Sequence, residues 1–463
     1  MATFRSELNF RSIQARTSAS RGPLPAIIKT IINMRQTNQV YGVSNDLIDT
    51  YIERPLVDET FTKGLQKNKH IIIYGASKQG KTSLTNKHLT EKEFVKVNCS
   101  PTSSTLDIYN SIARQLDIEI LESHEVTTNV GGEAKVGLKA KVRIPFFGGA
   151  DAETEATATT GKGNGKSFRV IDFNLALAQD LSELLRSINF NKRIILENFH
   201  YLSEDVQKQL AIDLRIFEDY NILFIVLGIW REKNRLAQFN GDLLDRVIEV
   251  PVEPWEREDL KRIVVEGLPL LNATFENIVD YIIDSCFDSV GVFQEICKES
   301  CYAAGINETS SNLVEITKNN VDAAITRKLE DYSSRHTRCL ESFIEQKARS
   351  SQEVPLYIPY YFIKVLFEET IDDIIKGLKR KPLQEKIKAI HHRPDDVRPS
   401  DMGYFLKNLV ASQVSKGISP PIFDYDNSTS SIKIIDSTFY FFIKNCDRKE
   451  SVENLAVPEG LEE

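Results

Sequence analysis

Gly75-Ala76-Ser77-Lys78-Gln79-Gly80-Lys81-Thr82 is the stretch on which the fold of this chain turns. It follows a short apolar run, His70-Ile71-Ile72-Ile73-Tyr74, of the kind buried on both faces in a parallel sheet. A helix over 81–89 is expected directly after it. The spacing G-x-x-x-x-G-K-T between strand and helix is that of a P-loop, a phosphate cradle. Its glycines let successive backbone N–H groups turn inward on phosphate oxygens, and the helix N-terminus adds partial positive charge. Gly75, Ala76, Ser77, Lys78, Gln79, Gly80, Lys81, Thr82 and Ser83 are therefore the expected nucleotide-binding set. Lys81 is suited to the β- and γ-phosphates of ATP, and the Thr82 hydroxyl to Mg²⁺. The motif alone does not separate ATP from GTP.

A P-loop protein needs a second group for the metal, a carboxylate at the end of a neighbouring strand. Arg193-Ile194-Ile195-Leu196-Glu197-Asn198 offers one, with Glu197 as the metal ligand beside Thr82. Asn198 follows, where a general base would be useful; an amide orients water but does not take its proton. Hydrolysis is expected to be slow unless Glu204 or another carboxylate reaches in. Further strands are expected at 94–98, 222–227 and 247–250, alternating with helices over 105–116 and 205–217. That alternation predicts an α/β P-loop NTPase core with a doubly wound parallel sheet over residues 41–255.

One segment breaks the pattern. Within 124–166, Val136, Leu138, Ala140, Val142 and Ile144 alternate with Lys135, Gly137, Lys139, Lys141 and Arg143. Folding it about Phe147 sets Arg143, Lys141 and Lys139 against Asp151, Glu153 and Glu155, which predicts an inserted β-hairpin with complementary charges. A polar loop is the alternative. A helix is expected over 171–188. Residues 256–330 read as a helical lid, and 331–448 as helices followed by strand-like runs at 422–425 and 432–435, a winged-helix-like domain. Residues 1–40, with a short helix near Leu24 to Met34, and 449–463 read as tails.

The net charge of −8 argues against coating nucleic acid through bulk positive charge. Cys99, Cys286, Cys297, Cys301, Cys339 and Cys446 contain no CxxC pair, so packed, reduced thiols are expected. The longest apolar run, 222–230, is far short of the ~20 residues that span a bilayer. No signal-peptide pattern opens the chain, and a cytoplasmic protein without membrane contact is the expectation.

Taken together, the strand, P-loop, acidic strand end with Asn198-Phe199-His200-Tyr201-Leu202, later strands and helical lid resemble the AAA+ superfamily, over about residues 41–330. Within it the chain is most similar to the origin-recognition-type and STAND branch. The resemblance implies a homo-oligomer and a protein effector or trigger, and proteins of this build often serve in anti-phage defence or mobile-element control. It also implies an arginine reaching a neighbouring subunit's γ-phosphate, for which Arg246 is the candidate; a surface ion pair is the plainer alternative. Gly228-Ile229-Trp230 and Gly291-Val292-Phe293-Gln294 stand where the family carries polar sensor residues, so the resemblance is incomplete there. With Asn198, these departures point to nucleotide used as a switch more than as fuel. Trp255, after Pro251 and Pro254, is suited to stacking on adenine or to packing between domains.

The segment 376–398 carries Lys376, Lys379, Arg380, Lys381, Lys386, Lys388, His391, His392, Arg393 and Arg398, and DNA phosphates are one possible partner. The following helix offers only Lys407 and Lys416, and the expected wing is acidic (Asp424, Asp426), which suits protein contact better. Three readings follow: a nucleotide-dependent switch, a DNA-transaction ATPase such as a transposition regulator or helicase loader, and a nucleotide-binding scaffold without turnover.

Overall fold

The computed structural model describes residues 34–130, 133–146, 161–163, 166–287, 289–346, 355–458 and 461. In the core, α1 (Pro55–Leu65) precedes β1 (His70–Gly75), followed by α2 (Lys81–His88), β2 (Phe94–Asn98) and α3 (Thr105–Gln115). Strands β3 (Glu119–Val130), β4 (Glu133–Phe146), β5 (Gly161–Gly163) and β6 (Lys166–Asn174) then form the insert. The core resumes with α4 (Ala178–Ser187), β7 (Arg193–Glu197), α5 (Glu204–Asp219), β8 (Phe224–Ile229) and β9 (Val247–Pro251). Five of these strands form one sheet in the order β2-β7-β8-β1-β9, every pair parallel. This is the α/β P-loop fold expected from the alternation.

The sheet is apolar on both faces because successive side chains point oppositely. Ile72, Tyr74, Val97, Ile194, Leu196 and Val226 pack under Ile108, Leu181 and Leu210 of α3, α4 and α5. Ile71, Ile73, Ile195, Ile225 and Leu227 pack on the other face with Phe61 of α1 and Leu84 of α2. Parallel strands all end on one side, so the loops after β1, β2, β7 and β8 converge at one rim, where ligands bind in open α/β sheets.

The insert is a four-stranded antiparallel sheet, β3-β4-β6-β5. Its register corrects the fold-back about Phe147. Arg143 stands opposite Glu119 and Lys141 opposite Glu122 on β3, and on the other edge Lys141 stands opposite Asp172 and Arg143 opposite Val170 on β6. Both edges of β4 are thus taken. Alternation tells which face a residue occupies but not which strand lies beside it. Residues 151–155, the acidic half of the expected pairing, lie outside the described residues. The expected helix over 171–188 is strand to Asn174 and helix only from Ala178.

Next come α6 (Arg257–Leu271), β10 (Ala273–Phe275), α7 (Val279–Cys286), α8 (Val290–Ala303) and β11 (Val314–Ile316), with Val40, Tyr41 and Ile52 from upstream in the same core. The 27-residue α9 (Lys318–Ile344) spans ~40 Å and connects this lid to the C-terminal unit. That unit contains α10 (Ile358–Glu368), α11 (Ile371–Lys376), β12 (Leu378–Lys379), α12 (Arg380–Ile390), α13 (Pro399–Lys407), α14 (Leu409–Ser415), β13 (Phe423–Asp426), β14 (Ser431–Ile434) and α15 (Ser437–Asn445). Its three strands form an antiparallel sheet, β12-β14-β13. Phe441 of α15 is buried in the lid core and Phe439 in the C-terminal core, so α15 bridges the two. A short helix, Arg448–Glu453, stands in the segment read as a tail, and the expected helix at Leu24 to Met34 falls almost wholly outside the described residues.

Candidate functional site

Residues at the carboxyl ends of the core strands surround a cavity of about 690 Å³. Its walls include Gly80–Ser83 of the loop and α2, Lys96, Asn98, Glu197, Asn198, His200, Ile229 and Trp255. The upstream segment 42–54 and lid residues Val290, Gly291 and Gln294 close the other side. The volume lies within the ~300–1,000 Å³ usual for small-molecule sites.

The loop has the backbone form a cradle needs. Gly75, Lys78 and Gly80 have φ of 153°, 56° and 85°, so the chain turns through left-handed conformations at three of six positions before Lys81. Gly80 caps α2 directly, which brings the helix N-terminus to the cavity. The Thr82 hydroxyl donates to Glu197 Oε1 at 2.8 Å, across 115 residues of sequence. Lys96 Nζ pairs with Glu197 Oε2. A hydroxyl and a carboxylate are hard oxygen donors suited to Mg²⁺, which keeps most of its shell from phosphate and water. Among the described residues no cluster of three His, Cys, Asp or Glu forms a metal site. His391 accordingly bonds the Leu356 carbonyl at 2.6 Å, and His392 bonds Tyr361 at 2.9 Å.

Lys81 Nζ donates to the loop's own carbonyls, Gly75 O at 3.0 Å and Ala76 O at 2.6 Å. Burial drives its pKa down to about 8, against the pull of Glu253 and Glu197. Asn198 sits on the cavity wall with φ 61°, at the start of the 3₁₀ turn Phe199–Tyr201. The carboxylates lining the cavity are Asp46 and Glu197; Glu204 is half-exposed and paired with Lys208 at 2.5 Å. Trp255 is buried, and the Arg54 guanidinium lies over its ring at 3.7 Å, so one face is already covered.

The two departures from sensor residues have structural roles. Gly228 lies against Trp230, whose ring a Cβ would meet at 1.5 Å, and Trp230 stacks on Tyr74. Gln294 is buried and ties lid to upstream segment, donating to Thr50 Oγ1 and accepting from the Gly42 N–H. Arg246 precedes β9, at the opposite end of the strands from the loop, and pairs with Glu218 at 2.6 Å and Asp219 at 3.6 Å.

Sequence reasoning missed the groups that hold the loop from behind. Ser77 N–H donates to the Ile435 carbonyl at 2.9 Å. Ser77 Oγ donates to Asp436 Oδ1 at 3.1 Å and accepts from the Ser437 N–H at 3.1 Å. Ser437 Oγ donates to Ser77 O at 2.6 Å and accepts from Gln79 Nε2 at 3.1 Å. Burial pushes the Asp436 carboxyl up, but Arg335 at 2.5 Å outweighs it and holds the group below the usual carboxylate range. A second line runs from the Ala76 N–H to Glu253 at 2.9 Å, then to Arg231 at 2.9 Å and the Tyr440 hydroxyl at 3.2 Å. The lid adds a third contact, Gly291 N–H to Lys78 O at 3.0 Å. No local sequence signal marks these partners, since 358 to 360 positions separate Ser77 and Gln79 from the side chains of Asp436 and Ser437.

No protein-family model matches this sequence, and a comparison with curated proteins finds no match. Among solved structures, the chain is similar to the Walker-type ATPase PABY2304 of Pyrococcus abyssi, at 11% identity and a TM-score of 0.42, over 85% of this chain and 96% of that one. It is similar to the ORC2 protein of Aeropyrum pernix, solved in ADPNP–ADP complexes, at 12% identity and a TM-score of 0.40, over 86% and 92%. The RuvB Holliday junction branch migration motor of Thermotoga maritima gives 10% and 0.37, over 90% and 99%. Likeness of this degree says nothing about what this chain binds or does. Among the described residues no helix is long and apolar enough to cross a membrane.

Proposed function

We propose that this chain is an AAA+/STAND-like ATPase that binds ATP with Mg²⁺, hydrolyses it slowly, and uses nucleotide state to switch oligomerisation or engagement of a partner or effector. The observation that carries this reading is the seating of residues 435–437 on Ser77 and Gln79. Any rearrangement of the loop around phosphates is felt directly by the C-terminal unit. Lys81 would exchange two backbone carbonyls for phosphate oxygens, and Thr82 with Glu197 would hold the metal, which would supply charge neutralisation for the phosphates. Asn198 orients water without deprotonating it, which supports slow turnover. In an assembly, Arg246 would reach a neighbouring site only after leaving Glu218. The resemblance of its P-loop, acidic strand end and lid segment to the AAA+/STAND build supports a place in anti-phage defence.

Light scattering with no nucleotide, ADP and ATP, alongside Lys81→Ala, tests the switch. An ATP-dependent change of mass that Lys81→Ala abolishes is expected. Equal mass in all three states, with and without a partner, overturns it. Phosphate release no faster than that of Lys81→Ala would leave a scaffold without turnover.

A second reading is favoured by the order helix, strand, three helices and hairpin in the C-terminal unit, read as winged-helix-like, with Lys379, Lys381, Arg398 and Lys407 exposed. On that reading the unit binds DNA phosphates. Charge reversal at Lys379, Arg380 and Lys381 should then abolish salt-dependent, ATP-stimulated DNA binding; retained binding rules the reading out.

A further inference from the structure

His200 lies in the wall between two cavities. One is the nucleotide cavity; the other, of about 860 Å³, opens between the core and helices α13 and α14 of the C-terminal unit, and His200 lines both. The side chain is only 5% exposed, yet neither Nδ1 nor Nε2 has a hydrogen-bond partner. Buried polar groups in folded proteins are nearly always bonded, and the exceptions call for a reason. Burial, with the cations Lys81 and Arg235 nearby, lowers the pKa to about 3, so the ring is neutral and holds one donor and one acceptor nitrogen.

Its place in the chain gives that ring two neighbours to connect. His200 is in the turn that starts after Asn198, three residues from Glu197. Its ring lies 4.1 Å from the Tyr201 ring, and the Tyr201 hydroxyl accepts from Ser419 Oγ of the C-terminal unit at 2.7 Å. The turn is therefore bonded to the C-terminal unit at one side and forms the nucleotide cavity wall at the other.

We propose that His200 is the positioning residue that distinguishes a nucleoside triphosphate from a diphosphate in this cavity, its unpartnered imidazole bonding the terminal phosphate or the water beside it. The proposal rests on the reading of the cavity as an ATP site. The role would be connected through Tyr201 to Ser419 of the C-terminal unit. No proton leaves or reaches His200 in this role; the ring donates one hydrogen bond that a diphosphate does not accept.

The test is calorimetric titration of the full chain with ADP and with a non-hydrolysable ATP analogue, in the wild type, His200→Phe and His200→Gln. His200→Phe keeps ring size and removes both nitrogens. A hydrogen bond to a charged group corresponds to roughly 10- to 100-fold in affinity. The analogue is expected to weaken by about that factor in His200→Phe while ADP stays within about threefold, and His200→Gln should restore part of the difference. A fall of both ligands together, or an unchanged analogue-to-ADP ratio in both variants, overturns the proposal. A wild type that binds neither ligand overturns the ATP-site reading, and this proposal with it. If His200→Phe loses its folded circular dichroism spectrum, His200→Ala takes its place in the same comparison: selective weakening of the analogue supports the proposal, and an unchanged ratio or an equal fall of both ligands refutes it.

Discussion

Ser437→Ala removes two of the bonds by which the C-terminal unit holds the phosphate loop: donation to Ser77 O at 2.6 Å and acceptance from Gln79 Nε2 at 3.1 Å. Ser437 is 1% exposed and Gln79 2%, so water does not readily replace either bond. A net value of about 0.5–1.5 kcal/mol per bond gives about 1–3 kcal/mol for the pair. The backbone bonds of Ile435 and Ser437 to Ser77 remain, so the interface loosens without being lost. If the seated C-terminal unit opposes the movement of the loop around phosphates, that free energy is returned as affinity. A non-hydrolysable ATP analogue should then bind about 5- to 150-fold more tightly in calorimetric titration, the larger factor being an upper limit. Hydrogen exchange of a peptide covering 76–80 should quicken in parallel, and circular dichroism should report an unchanged fold. Faster exchange with unchanged or weaker analogue binding would refute the reasoning, because the contact would then be packing with no coupling to nucleotide.

The remaining predictions concern protons and lid packing. With a pKa near 8, Lys81 is partly neutral above that pH, so nucleotide binding must take up a proton there. Affinity should fall by up to about tenfold per unit above pH 8, and titrations in buffers of different ionisation enthalpy should report proton uptake that Lys81→Ala lacks. His70, His200 and His336 are buried with pKa values lowered to about 4, 3 and 4. A folded pKa below the unfolded 6.5 means the unfolded chain binds more protons between those values. Stability is therefore complete above pH 6.5 and declines as pH falls toward 4, by up to about 1.4 kcal/mol per unit for each histidine, readable from urea midpoints. A midpoint independent of pH across that window would contradict their burial. Gly291→Ala would set a Cβ 2.5 Å from Lys78 Cβ and 2.6 Å from Lys78 O. It should cost about 1–3 kcal/mol in thermal unfolding and weaken nucleotide binding, whereas Gly241→Ala, with open space around its Cβ and no left-handed backbone, should leave binding unchanged.

How much of this was legible in the chain depended on the range of each interaction. The loop and β1 read correctly because strand, glycine turn and helix start are local patterns, and Glu197 followed from the end of another apolar run. The meeting of Thr82 with Glu197 needs only adjacent parallel strands in one sheet, which the alternation of elements implies. The insert was read as β from strict alternation, but its partners were misplaced because period two carries no information about neighbours. Arg193 gave no signal, although its guanidinium bonds the carbonyls of Gly64, Leu65, Lys67 and Lys69 and fixes the end of α1 against the sheet. Asp436 and Ser437 carry no sequence mark of this contact, since an Asp that caps a helix satisfies that role without touching the phosphate loop.

The distance along the chain between Ser77 and Ser437 also orders events during synthesis. At ~5–20 residues per second, the 360 positions between them take roughly 20–70 s to translate. During that interval the core sheet, which needs nothing beyond residue 251, can form while the back of its phosphate loop still lacks the last partner. A nascent chain in that interval would meet cellular nucleotide on different terms from the finished protein, and the order in which it acquires ligand and C-terminal unit would be set by the ribosome.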